Sequence, residues 1–324
     1  MLDHGGNIRQ VAQLYGRPVE EWLDLSTGIN PWGWPVPDMP ASVWRTLPEE
    51  QDGLEQAAQA FYRCNSLLPV AGTQQAIQLL PGLRARSRVG ILSPTYSEHY
   101  RAWSQGHDVV QLGYGEIEQA LDQLDVLLIV RPNNPDGHMI DKARCLEWHQ
   151  RLASRGGWLI ADEAFIDARP GNSLASETAR EGLIVLRSMG KFFGLAGIRC
   201  GFVLADQVLL NRLREYVGPW AVSGPARRVA SLALADEPWQ RDTRIRVEAA
   251  QLRLIELLSS NGLEPTGGTE LFQLVRTPRA AVLYDSLASQ GVLTRIFREL
   301  SSIRFGLPGD ENQWNRLQRA LNRT

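Results

Sequence analysis

The sequence predicts an α/β fold, with a large domain on a mainly parallel sheet followed by a small C-terminal α/β domain. Three observations predict it. Between about residue 68 and residue 205, short apolar runs alternate with segments whose apolar residues recur at helical spacing. Strands separated by helices in this way pair in parallel and take helices on both faces. Past Asp206 the rhythm changes to successive helices, and strands return only near Leu271. The expected division is an N-terminal arm with part of the small domain (1–45), a large domain (46–217) and a small domain (218–324).

In chain order, His4-Gly-Gly-Asn7 precedes a helix from Ile8 to Tyr15, and Leu23-Asp-Leu-Ser-Thr-Gly-Ile-Asn-Pro31 reads as a short strand running into a turn. Gly5 and Gly6 let backbone N–H groups approach an anion beside His4, although a solvated terminal histidine accounts for the same residues. Trp32-Gly-Trp-Pro-Val-Pro-Asp-Met-Pro40 is too rich in proline for a helix or a central strand and reads as an extended connector. Leu54, Ala57, Ala58 and Phe61 give helical spacing over Glu49 to Arg63. Next come a short strand at Leu68, the turn Gly72-Thr73-Gln74 and a helix to Leu80. This order aims N–H groups at an anion from a helix start, while a plain strand–helix turn uses glycine equally well.

Val89–Ser93, Asp108–Leu112, Val126–Val130, Trp158–Asp162, Leu183–Leu186 and Gly201–Ala205 read as strands. Helices are expected at Ser97–Gln105, Glu116–Leu124 and Lys142–Arg155, the last closed by Gly156-Gly157. Beyond the sheet, helices are expected at Asp206–Val217, Pro225–Ala235, Pro238–Ser260, Arg279–Ser289 and Glu311–Asn322. The small domain adds strands at Leu271–Val275, Val292–Phe297 and Ser302–Phe305. No internal repeat or low-complexity segment interrupts them.

Ligands of such sheets sit where loops leave the carboxyl ends of the strands. Pro94-Thr-Tyr96 places an aromatic there, to stack on a flat ligand or to pack in the core. Arg131-Pro-Asn-Asn-Pro-Asp-Gly137 is turn chemistry throughout. Asp162 ends a strand in a carboxylate that is costly to bury alone. Leu183 to Leu186 opens through Ser188 and Gly190 onto Lys191. Lys and Arg total 34, yet only Lys142 and Lys191 are lysines. Arginine cannot replace a lysine that must lose its proton to attack a carbonyl, and an amine among Phe192, Phe193 and Leu195 is desolvated toward nucleophilicity.

Composition bounds the function. Net charge is −2 with no basic run, so nucleic acid and anionic membrane have no claim as partners. No apolar stretch is long enough to span a bilayer. The opening Met1-Leu-Asp-His-Gly-Gly lacks the pattern of a signal peptide. Cys64, Cys145 and Cys200 are scattered, which argues against disulfides and a zinc site and for a reducing, cytoplasmic setting. No metal is expected.

Ser188-x-x-Lys191 followed by Gly197-x-Arg199 resembles the lysine region of fold-type I pyridoxal-phosphate enzymes, the aspartate aminotransferase-like fold. The resemblance extends over nearly the whole chain. It implies pyridoxal 5′-phosphate as cofactor, held as a Schiff base by Lys191, with its phosphate on Gly72, Thr73, Gln74, Ser188 and Arg199. Tyr96 then stacks on the ring, Asn134 bonds the ring oxygen and Asp162 pairs with the ring nitrogen. Lys191 and Asp162 become the catalytic pair. Ser302-Ile-Arg304-Phe-Gly resembles the family segment whose arginine grips the substrate carboxylate, and Arg295 is placed to bind a second anion.

His4-Gly5-Gly-Asn with Ser-x-x-Ile-Asn-Pro31 resembles the cobalamin-pathway branch of that family, the threonine-phosphate decarboxylases. Related aminotransferases carry tyrosine where this chain has Phe165, and another tyrosine near the stretch that is here Leu47-Pro48-Glu49. The resemblance thus implies decarboxylation of L-threonine O-3-phosphate to aminopropanol phosphate, with His4 and Gly5 near the substrate phosphate and a homodimer as the working form. The alternatives are transamination of the histidinol-phosphate kind and a catalytically silent protein of the same fold.

Overall fold

The computed structural model describes residues 4–324, and residues 1–3 of the expected N-terminal arm lie outside it. The chain forms two compact units: a larger one of residues 34–134 and 139–240, and a smaller one of residues up to Gly33, 135–138 and 241–324. The first elements are α1 (Ile8–Tyr15), β1 (Leu23–Asp24), α2 (Ser42–Arg45), α3 (Leu54–Tyr62), β2 (Leu67–Val70), α4 (Thr73–Leu79), β3 (Arg88–Leu92), α5 (Ser97–Trp103) and β4 (Asp108–Leu112). α6 (Ile117–Ala120), β5 (Val126–Val130), α7 (Lys142–Ala153), β6 (Trp158–Asp162), β7 (Leu183–Ser188), β8 (Gly201–Leu204), α8 (Gln207–Val217), α9 (Gly224–Ala235) and α10 (Glu237–Ser260) follow. The chain closes with β9 (Pro265–Thr269), β10 (Phe272–Arg276), α11 (Ala280–Ser289), β11 (Val292–Leu293), β12 (Arg295–Phe297), β13 (Ser302–Gly306) and α12 (Glu311–Leu321).

The larger unit holds a seven-stranded sheet in the order β2-β8-β7-β6-β5-β3-β4. From β7 to β4 every pairing is parallel, while β8 runs antiparallel to both β7 and β2. β5 and β6 are buried along their whole length. Their unbroken apolar runs are what a strand covered on both faces requires. Val126, Leu128, Ile160, Ile184 and Leu186 share one core with Trp103 of α5 and Leu209 and Leu213 of α8.

Residues 34–45 and 218–240, expected with the small domain, pack in the larger unit. Trp34 N donates to Phe193 O (2.9 Å) and its indole to Asp236 (3.0 Å). Trp239 stacks on Phe193 with centroids 5.6 Å apart, and Arg227 of α9 binds Asp52 and Glu55. These contacts join segments far apart in sequence, which local composition cannot report.

In the smaller unit the sheet order is β12-β13-β10-β9, all antiparallel, and β1 pairs in parallel with β11. Several elements differ from expectation, the short α2 among them. The helix expected from Glu49 starts at Leu54, because Gly53 takes φ 89° and the Asp52 carboxylate accepts from Leu54 N. The strand expected over 292–297 splits into β11 and β12, which belong to different sheets. β9 is unforeseen, since Thr266-Gly-Gly-Thr269 carries no apolar alternation. Its glycines serve close approach: a Cβ at Gly267 or Gly137 would strike the backbone of Asp136 or Gly268.

Candidate active site

The sheet of the larger unit gathers most of the expected site residues at one end. β5, β6 and β7 run in register (Val130 opposite Asp162, Asp162 opposite Leu186), so the loops bearing Asn134, Asp162 and Lys191 leave the sheet side by side. Antiparallel β8 starts where β7 finishes, with Gly201 opposite Ser188, which brings Arg199 to the same end. Val70, the last residue of β2, also faces Gly201, and so delivers Gly72, Thr73 and Gln74.

Gly72 and Arg199 depend on each other. Gly72 has φ +74°, and a Cβ there would stand 2.7 Å from Arg199 Nη2. Arg199 is exposed, adopts φ 53° and donates from Nη1 to Ala196 O at 3.2 Å. Ser188 Oγ accepts from Gly190 N at 3.1 Å. Glycine at 201 is equally required, since a Cβ would come within 2.8 Å of Thr73 N. Backbone N–H groups, a hydroxyl and a guanidinium therefore gather at this end of the sheet, a donor set suited to a phosphate. α4 is only seven residues long, so Arg199, rather than a helix dipole, supplies the main positive charge.

Asp162 is buried, with Oδ2 2.9 Å from His99 Nε2 and Oδ1 accepting from Ala164 N at 3.0 Å. The Tyr96 ring lies 6.0 Å from that of His99, edge to face. Burial, with Glu98 and Asp162 adding to it, pushes the Tyr96 phenol up to about 12. Its hydroxyl donates to Gln74 Oε1 at 3.3 Å, and Gln74 Nε2 donates to Glu98 at 3.0 Å. The Gln74 side chain is thus committed to Tyr96 and Glu98. The Lys191 amine lies 5.2 Å from the centroid of the Phe165 ring. Asn133 binds Thr95 Oγ1 (2.6 Å) and Pro94 O (3.0 Å), fixing the loop in which Asn134 is half-buried.

His99 is the residue that sequence reasoning missed. It stands in the first turn of α5, three positions after Tyr96, the extended residue that precedes that helix. Its partner Asp162 is sixty-three residues away, so only the parallel sheet reveals the pair.

His4, Gly5, Arg295 and Arg304 lie in the smaller unit. Arg295 and Arg304 stand directly opposite each other on β12 and β13. Cross-strand partners share a face, and like charges so placed repel. Arg304 is buried, donates to Ser26 O at 2.7 Å and lies over the Phe272 ring. Burial, and then the charge of Arg295, push its guanidinium down to about 9; an anion beside it opposes both effects. His4, Gly5, Asn7, Ser26, Thr294 and Arg295 contribute to the lining of a cavity of about 160 Å³. Thr294 Oγ1 is buried there without a hydrogen-bond partner.

The model of the class I and II aminotransferases matches residues 45–321. The chain belongs to that family. It is 53% identical over 322 residues to the threonine-phosphate decarboxylase of Pseudomonas aeruginosa, covering 99% of this chain and 97% of that protein. It is 41% identical over 330 residues to the threonine-phosphate decarboxylase of a Sinorhizobium species, again covering 99% and 97%. The crystal structure of histidinol-phosphate aminotransferase from Sinorhizobium meliloti in complex with pyridoxal-5′-phosphate superposes with a TM-score of 0.85, at 19% identity, over 99% of this chain and 95% of that one.

Enzymes of this family work with pyridoxal 5′-phosphate, and the donor set of the larger unit fits that group. Glycine at 72 lets the Arg199 guanidinium lie against the backbone that opens α4, where a side chain would displace it, and so sets a positive charge beside those N–H groups. A buried carboxylate fits a protonated pyridine nitrogen, which neutralises a charge otherwise costly to bury.

Proposed function

We propose that the chain decarboxylates L-threonine O-3-phosphate, releasing carbon dioxide and (R)-1-aminopropan-2-yl phosphate, a step of cobalamin biosynthesis. The observation that carries this reading is the Arg295–Arg304 pair across β12 and β13, beside a cavity bordered by His4 and Gly5. Two guanidinium groups facing the same way suit a small substrate with two anionic groups, a carboxylate and a phosphate. The two relatives named above, both threonine-phosphate decarboxylases, support the same assignment.

Lys191 holds the cofactor covalently, and Ser188, Arg199 and the backbone of Gly72, Thr73 and Gln74 hold its phosphate. Tyr96 packs on the ring, Asn134 bonds the ring oxygen and Asp162 keeps the ring nitrogen protonated. When bound, pyridoxal phosphate supplies an electron sink for the pair left behind as the carboxyl group departs. Arg304 takes the substrate carboxylate, and Arg295 with His4 and Gly5 takes the substrate phosphate. Anchoring both ends of the substrate would let binding energy remote from the reacting bond choose the reaction. Lys191, its amine freed as the substrate amine takes its place on the cofactor, would then deliver a proton to the α-carbon. Phe165 beside Lys191 lacks the hydroxyl carried by related aminotransferases and favours decarboxylation over transamination.

Val36, Trp44, Leu47 and Trp220 are exposed apolar residues of the larger unit and support a homodimer as the working form. Among the described residues no helix is long and apolar enough to cross a membrane, and three free buried thiols suit a reducing, cytoplasmic setting.

The test is incubation with L-threonine phosphate, scoring carbon dioxide against pyridoxamine phosphate. Carbon dioxide is expected, with far less from unphosphorylated threonine. Conversion of the cofactor to pyridoxamine phosphate by histidinol phosphate, without carbon dioxide from threonine phosphate, assigns the chain to transamination instead.

A further inference from the structure

Successive side chains along a strand point to opposite faces, so Arg187 turns away from the side taken by Leu186 and Ser188, and Glu163, which it binds, lies with it. Arg131 follows the end of β5, Glu163 follows β6 and Arg187 is the penultimate residue of β7. These three residues and Asp167 are all at most 1% exposed. Glu163 Oε1 accepts from Arg131 Nη1 at 2.6 Å and from Leu174 N at 2.9 Å. Its Oε2 accepts from Arg187 Nη1 at 3.2 Å and from Ser173 Oγ at 2.5 Å. Arg187 Nη2 donates to Asp167, and its guanidinium lies 4.4 Å from the Tyr62 ring centroid. Arg131 also donates from Nε and Nη2 to Ile140 O and from Nη1 to Asn172 O. Two guanidinium groups and two carboxylates cancel in charge.

Burying an ion costs several kcal/mol before its partner offsets the loss, and apolar residues of the same volume hold a core at least as well. Stability alone therefore explains this cluster poorly. What it adds over an apolar core is direction, because a planar guanidinium fork holds a carboxylate in one orientation. We infer that Glu163, clamped by Arg131 and Arg187, is a positioning residue that fixes the mutual placement of the three loops bearing Asn134, Asp162 and Lys191. The inference rests on pyridoxal phosphate being held at these strand ends.

The experiment compares wild type, Glu163→Gln and Glu163→Asp as cofactor-loaded enzymes. Far-UV circular dichroism reports folding, and visible circular dichroism of the bound cofactor reports how the ring is held. Both variants are expected to fold and keep the cofactor, yet to lose most of the visible ellipticity. Their kcat should fall roughly tenfold or more, with KM for L-threonine phosphate within about threefold of wild type. Wild-type ellipticity and kcat in folded, loaded Glu163→Gln overturn the inference. So does full recovery in Glu163→Asp, which keeps the charge but withdraws the carboxylate by one methylene. If Glu163→Gln does not fold, the double variant Arg131→Met/Glu163→Met removes a matched pair and is judged by the same readouts. The underlying reading fails separately, if wild type carries no cofactor label on Lys191.

Discussion

His99 Nε2 and Asp162 Oδ2 lie 2.9 Å apart, and both side chains are buried. His99 Nδ1 has no hydrogen-bond partner. A proton on Nε2 lets the ring donate to the carboxylate. The imidazole thereby orients the carboxylate proposed to hold the cofactor nitrogen. His99→Phe keeps an aromatic ring and removes the bond. A hydrogen bond to a charged group contributes about 1.5–3 kcal/mol, so kcat/KM is expected to fall roughly ten- to a hundredfold. Unchanged kinetics in a folded His99→Phe enzyme would show that Asp162 needs no such support.

Lys191→Ala should lose the covalent cofactor and its yellow colour while remaining folded. Borohydride reduction of the wild type followed by mass spectrometry is expected to place the pyridoxyl group on Lys191. A label on Lys142, whose amine pairs with Glu177 at 3.0 Å, would move the site elsewhere.

Arg199 and Arg304 are expected to divide their work. Arg199→Ala should weaken cofactor retention, and Arg304→Ala should raise KM for L-threonine phosphate with the cofactor still bound. Losing a charged hydrogen bond of about 1.5–3 kcal/mol predicts roughly ten- to a hundredfold in each case. Equilibrium dialysis of cofactor, set beside steady-state kinetics, checks the division. Equal effects of both variants on cofactor and substrate contradict it.

The thiols predict how stability depends on pH. Burial pushes Cys64 up to about 11 and Cys145 and Cys200 up to about 12, from an ordinary 9.0. Above about pH 9 the unfolded chain loses these protons while the native protein keeps them. The unfolded state then binds fewer protons, so stability falls as pH rises, until the native thiols ionise too. Tyr62, buried and pushed well above 10.0, adds a loss of the same sign at higher pH. Urea midpoints between pH 8 and pH 10.5 should decline, and Cys145→Ala should flatten the slope. A midpoint that holds constant or rises over this range contradicts the assignment.

Local pattern determined much of this protein. The apolar runs of β5, β6 and β7 identify themselves as buried strands, since both faces of each are covered and no polar alternation interrupts them. The polar residues just beyond those runs, Asp162, Ser188 and Lys191, stand out because they break an apolar text at positions where ligands of such sheets bind. Only the tertiary structure decided which of these residues meet. β8 runs antiparallel beside β7 and so sets Arg199 against Gly72, more than a hundred residues earlier. His99 acquires its meaning from Asp162, and Glu163 from Arg131 and Arg187, through strand order rather than spacing. Likewise Val292 to Phe297 shows one continuous pattern, yet its first half pairs with β1, far earlier in the chain, while its second half turns back in a hairpin with β13. Hydrophobic period reports a residue's burial, whereas its hydrogen-bond partner depends on long-range pairing that no local window contains.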